Sequence, residues 1–176
     1  MINKHLNAAR NTAIAAVAAV LLAGCTMNHA SIDQAASENF VSKVSMSDHF
    51  EMASSTLALK KSHNAQVRAF ARSMIDDHAA NETALRNAVN ASTVDRNFVT
   101  DEFNGTFTDK LDMLKGKRGK DFDTAYIMAQ RETHSDAVRL FRDYREHGTS
   151  RSLHQFAVDA LPTIEAHEQR IYKINP

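Results

Sequence analysis

Four side chains able to hold a metal ion stand on the apolar stripes of this 176-residue sequence: Glu51, His78, His134 and His167. His167 interrupts the cleanest stripe, in which Leu153, Ala157, Ala160, Ile164, Ile171 and Ile174 recur at helical spacing. His78 shares a stripe with Val67, Met74, Leu85 and Val89, and His134 shares one with Ile127, Val138 and Phe141. Glu51 lies less regularly between Val44 and Ala58. Imidazole nitrogens and carboxylate oxygens are the donors that Fe, Mn, Zn and Cu accept, and helical bundles build metal sites from inward residues on facing helices. A lone histidine on such a stripe is commonly a core residue satisfied by one hydrogen bond. The coincidence of levels is what points to a shared transition-metal site. Glu51 and His78 are equidistant from position 64.5, His134 and His167 from 150.5, and both midpoints fall on expected turns.

Carboxylates near these residues are candidates to orient them. Asp77 and Glu82 accompany His78, Glu132 accompanies His134, and Glu165 and Glu168 flank His167. Glu82, one turn from His78, is expected to reach it by a hydrogen bond. The Glu-x-x-His pattern of di-iron bundles is missing, because no Glu stands three residues before His78, His134 or His167. The ordinary di-iron cage is therefore not encoded. A mononuclear site and a buried His/Glu hydrogen-bond network are the remaining alternatives.

Four helices must position these groups. The periodicity predicts them near Ser37 to Lys61, Ala65 to Ala91, Lys120 to His147 and Arg151 to Ile174, with no sustained strand alternation. The turns Ser62-His63-Asn64 and His147-Gly148-Thr149-Ser150 are short enough to force antiparallel neighbours. Gly148 suits the position after a helix end, and Ser150 suits an N-cap. The stretch from Ser92 to Gly119 is expected to carry a short helix around Phe107 to Leu114, then a flexible Gly116-Lys117-Arg118-Gly119. Two hairpins joined by one long connection make an all-α, ferritin-like antiparallel four-helix bundle. Pro162 falls inside the fourth pattern and predicts a kink or a restart. A short internal similarity, Val67-Arg68-Ala69-Phe70-Ala71 against Leu153-His154-Gln155-Phe156-Ala157, agrees with two related hairpins.

The N-terminal 24 residues have a different character. Lys4 and Arg10 precede an apolar run of 11 residues, Ala13 to Ala23, too short to cross a bilayer but right for a secretory signal. The run closes in Leu22-Ala23-Gly24-Cys25, which resembles the bacterial lipobox. That resemblance implies cleavage before Cys25, lipidation of its sulfur and insertion of three acyl chains in a membrane. Thr26, in place of an Asp, favours the outer membrane facing the periplasm. Expected domains are a signal peptide over 1–24, a small, polar tether over 25–36 and the bundle over 37–176.

Processing would leave 152 residues, and loss of Lys4 and Arg10 takes the 21 basic residues to 19 against 21 acidic, a net charge of −2. Such a balance gives no electrostatic case for binding nucleic acid. Arg139, Arg142, Arg145 and Arg151 form the densest basic group; a solvated face is the plain expectation and contact with anionic lipid or envelope polymer the alternative. Cys25 is the only cysteine, so no disulfide or thiolate site is expected.

Phe70-Ala71-x-x-Met74-x-x-Asp77-His78, then Phe122-Asp123-x-x-Tyr126, then Leu161-Pro162-x-x-x-x-His167 resemble the bacterial family called domain of unknown function 4142. The resemblance covers roughly residues 36 to 174 and implies an exported or outer-membrane protein with a ferritin-like bundle. The matched positions are Glu51, His78, His134 and His167; Thr133 departs from the acidic residue the family often carries there. The family supplies no reaction. With no nucleophile elbow, phosphate-cradling loop or His-Glu-x-x-His, no catalytic residue is assigned. The expected function is a non-enzymatic, lipid-anchored envelope protein with a binding, structural or stress role, an envelope protein being the candidate partner. The alternative is a metal-binding or oxidative protein using the inward Glu and His residues.

Overall fold

The computed structural model describes the backbone of residues 13–103 and 105–176, with side chains from residue 29 onward. Lys4, Arg10 and the side chain of Cys25 lie outside the described residues. Five α-helices follow in order: α1 (Ala13–Lys61), α2 (Ala65–Asn90), α3 (Gly105–Gly116), α4 (Gly119–His147) and α5 (Arg151–Tyr172). A 3-10 turn at Arg96–Phe98 lies between α2 and α3, and no strand occurs among the described residues. The chain is all-α, as its periodicity predicts.

Two hairpins form the body. α1 packs along α2 and α4 along α5, and the hairpins join through α1 against α4 and α2 against α5. Asn64 starts α2 by accepting the amides of Gln66 (2.9 Å) and Val67 (3.4 Å) on its side-chain oxygen. Ser150 occupies the N-cap position of α5 but makes no side-chain cap bond. Gly148 ends α4 with φ −67°, so left-handed backbone is not what it supplies. A Cβ there would lie 2.5 Å from the Tyr144 ring and backbone oxygen, and close approach is the reason for a glycine. Gly119, at φ +54°, does use left-handed backbone to open α4 one residue earlier than expected.

Two local expectations are corrected, and one alternative is decided. The first helix does not begin at Ser37. Residues 29–36, read as tether, are helical, and Gln34 already donates to the Thr93 carbonyl at 3.2 Å. That segment holds Ala and Gln and neither Gly nor Pro, so nothing stops helix propagation. The connecting helix is longer than expected, Gly105–Gly116, because Lys61 donates its ammonium to the carbonyls of Leu114 (3.2 Å), Lys115 and Lys117 (3.0 Å) and so satisfies the C-terminal end. α5 continues through Pro162, so of the kink and the restart the restart is excluded. The carbonyl deprived of a donor belongs to Val158, on the exposed side of the helix, where it is open to solvent.

The apolar core comes in three parts, the smallest being Phe50, Leu111 and Ala129, which tie α3 to α1 and α4. One end gathers Phe40, Val44, Leu85, Phe141, Phe156 and Ile164, with Phe40 stacked 3.9 Å from Tyr144. The other gathers Val67, Phe70, Met74, Phe122, Tyr126 and Ile171. Between the two larger sets every long helix carries buried polar residues, namely Asp48 and Glu51, His78, Gln130 and His134, and His167, with Phe50 and Ala129 of the third set beside them.

Candidate metal centre

Three imidazole rings meet in that middle layer. His78 from α2, His134 from α4 and His167 from α5 stand with centroids 5.7, 5.6 and 5.6 Å apart, a nearly equilateral triangle. One ring nitrogen from each lies within 4.8 Å of the other two.

Each ring is held by one nitrogen and left free at the other. His78 donates from Nδ1 to Asp48 Oδ1 at 2.7 Å, and Asn81 fixes Asp48 by donating to both its oxygens at 3.1 and 2.9 Å. His134 donates from Nδ1 to the Gln130 carbonyl, one turn back, at 2.9 Å. His167 donates from Nε2 to Asp77 Oδ2 at 2.9 Å. The remaining nitrogens, Nε2 of His78, Nε2 of His134 and Nδ1 of His167, are buried without a partner among the described residues. Buried polar atoms are nearly always bonded. Three buried ring nitrogens without partners in one layer fit a shared cation.

Protonation differs around the triangle. Burial, aided by the charge on His78, pushes His134 down to about 3 and His167 to about 4. Burial also opposes charge on His78, but Asp48, through its hydrogen bond and charge, outweighs that and raises it. Asp48 is itself raised by burial. The metal-free site thus holds two neutral imidazoles beside a His78 whose charged form Asp48 favours.

Glu51 lies beside the triangle. Its Oε1 is 3.7 Å from His134 Nδ1, the edge already bonded to Gln130, and neither of its oxygens has a hydrogen-bond partner. Burial pushes its carboxyl up to about 7. Asp77 holds His167, a ring on α5, although its sequence neighbour is His78. Glu82 does not reach His78. It accepts from Arg86 Nε at 2.9 Å and stands 3.5 Å from His49, because the next turn offers a guanidinium while Asp48 fills the His78 nitrogen from across the hairpin. Thr133 is buried and returns its hydroxyl to the Ala129 carbonyl at 2.9 Å.

Asp48 and Asn81 were not anticipated from the sequence. A signal existed: Asp48 precedes Glu51 by three residues, and Asp48 and Asn81 share the 64.5 midpoint of Glu51 and His78. A second group, His49, Glu82 and Asp101, also brings donors within 4.8 Å. Arg86 sits on both its carboxylates, at 2.9 Å from Glu82 and 3.5 Å from Asp101, and makes it an ion-pair tie for the connecting loop.

Two clefts approach the histidines. One, about 520 Å³, opens between α1, α3 and α4 and reaches Asp48 and His78. The other, about 500 Å³, runs between α2 and α5 and reaches His78 and His167. No helix among the described residues is long and apolar enough to cross a membrane.

Residues 21–174 match the family described as Domain of unknown function (DUF4142). Among solved structures the chain is similar to a DUF305 secreted protein from Streptomyces coelicolor, with TM-score 0.64 and 16% identity over 79% of this chain and 89% of that one. At that identity the likeness shows a shared fold. A comparison with curated proteins found no match.

Proposed function

The chain belongs to the DUF4142 family, and within that family of unassigned function we propose that it is a ferritin-like, lipid-anchored envelope protein that binds one transition-metal ion through His78, His134 and His167. The observation carrying this is the set of three buried imidazole nitrogens without partners, each on a ring whose other nitrogen is fixed by a carboxylate or carbonyl. Metal-bound histidines are characteristically held in that way, which sets the tautomer and strengthens the donor.

Imidazole donors suit Zn, Cu, Fe and Ni rather than Ca or Mg. Asp48 and Asp77 place negative charge behind two of the rings, and Glu51 offers a carboxylate next to the third. Three nitrogens and at most one carboxylate do not make a di-iron cage. A metal on His78 Nε2 would need that nitrogen free of its proton while Nδ1–H stays on Asp48, so uptake should strengthen as pH rises. A bound ion would supply Lewis acidity or, for iron or copper, one-electron chemistry. The lipobox ending in Cys25 supports anchoring at the outer membrane.

Elemental analysis of protein purified without chelator tests the site. One equivalent of a single metal is expected in the wild type, with large losses in His78→Ala, His134→Ala and His167→Ala. A metal that binds only the folded state also raises its melting temperature. Less than about 0.1 equivalent, with no thermal shift on adding Fe, Mn, Zn or Cu, would remove the metal site.

A further inference from the structure

The two clefts that approach the histidines differ in charge, one acidic and the other with as many basic as acidic residues, and from that contrast we infer that the α2/α5 groove is the path by which a hydrated divalent cation reaches His78 and His167. This rests on the metal site proposed above. Its lining contains Asp77 and Asp159, with amide and hydroxyl groups from Asn81, Gln155 and Thr163, and among its described residues no lysine or arginine. Asn81 spends its amide hydrogens on Asp48, so what it offers the groove is a carbonyl oxygen. Arg170, one turn beyond His167, is turned toward Ser73 and lies over the Phe70 ring at 5.5 Å.

Asp77 connects outside and inside. Its side chain is 43% exposed, while the His167 ring that it holds is 4% exposed. The unpartnered nitrogens of His167 and His78 belong to residues lining the same groove. A cation shedding water there meets Asp159 at the exposed wall, then Asp77, then two imidazoles. Clefts lined by one sign of charge raise the local concentration and on-rate of the opposite ion.

The α1/α3/α4 cleft is unsuited to that task. Lys43, Lys110 and Arg139 line it, and its acidic groups are engaged: Glu132 with Lys110 at 3.2 Å, Asp136 with Arg139, and Asp48 with His78.

Stopped-flow mixing of the metal-free protein with cobalt(II) chloride, read by visible absorption, tests the path. Asp159→Asn should lower the association rate about threefold to tenfold at low ionic strength, with stoichiometry and final spectrum unchanged. The gap should close in high salt, which screens the exposed carboxylate. Thr163→Trp, which fills the groove, should also slow uptake, whereas Ala137→Trp in the opposite cleft should not. Wild-type binding whose rate ignores Asp159→Asn and Thr163→Trp but falls in Ala137→Trp would overturn the path and leave the site standing. Failure of the wild type to bind cobalt at all would remove both.

Discussion

Glu51 is a buried acid beside a neutral imidazole, with no hydrogen bond to either oxygen. Its carboxyl titrates near 7 in the fold, against an ordinary value of 4.5. A raised folded value means that the native state binds the proton more tightly than the unfolded chain. The associated stability is complete below about pH 4.5 and is lost as pH rises toward 7. Glu51→Gln should therefore match the wild type near pH 4.5 and exceed it near pH 8, by on the order of 3 kcal/mol in metal-free urea melts. Equal differences at both pH values would show that Glu51 is not buried as an acid. At this scale the sequence was informative about which residues turn inward, because a histidine on an apolar stripe shares the stripe's direction. It was less informative about partners. Asp77 and Glu82 both neighbour His78, yet one holds a different ring and the other faces Arg86. Partner choice depends on rotation about helix axes and on what the opposite helix presents, and Asp48 gave no contrast within the polar run Ser45-Met46-Ser47-Asp48-His49.

The elements were legible almost to their ends, since glycine, proline and short polar turns punctuate a continuous helical period. Errors came where local chemistry was neutral. Nothing in residues 29–36 breaks a helix, so α1 continues through them. Gly148 was placed correctly for a reason that proved different. With φ −67° an alanine fits the backbone, but its methyl would meet the Tyr144 ring and carbonyl at 2.5 Å. Tyr144 is also committed to Phe40 by stacking and to Ser37 by a 2.8 Å hydroxyl bond, so it cannot easily yield. Gly148→Ala should destabilise by about 1–3 kcal/mol in a thermal or denaturant melt. A neutral or stabilising effect would mean that the α4–α5 turn relaxes freely.

For the whole molecule, the middle layer makes stability depend on acidity. In the unfolded chain His134 and His167 accept protons near pH 6.5, and in the native state they resist until about 3 and 4. A lowered folded value gives stability that is present above the unfolded value and lost as pH falls, here from about 6.5 toward 4. Relative to a His134→Asn/His167→Gln variant, the wild type should lose on the order of 1 kcal/mol per pH unit for each histidine over that window. Chelator-treated melts at pH 6.5 and 5 measure the difference; parallel curves would mean that the rings are hydrated.

The same layer has a mechanical consequence. Because its polar residues separate the larger apolar clusters at the two ends of the bundle, the helices meet at the waist chiefly through hydrogen bonds and the small cluster around Phe50. A cation gripped by α2, α4 and α5 would act as a rivet there, joining two semi-independent halves into one cooperative unit. Amide exchange should then show the two ends opening with distinct free energies in chelator and with one common value when the ion is bound.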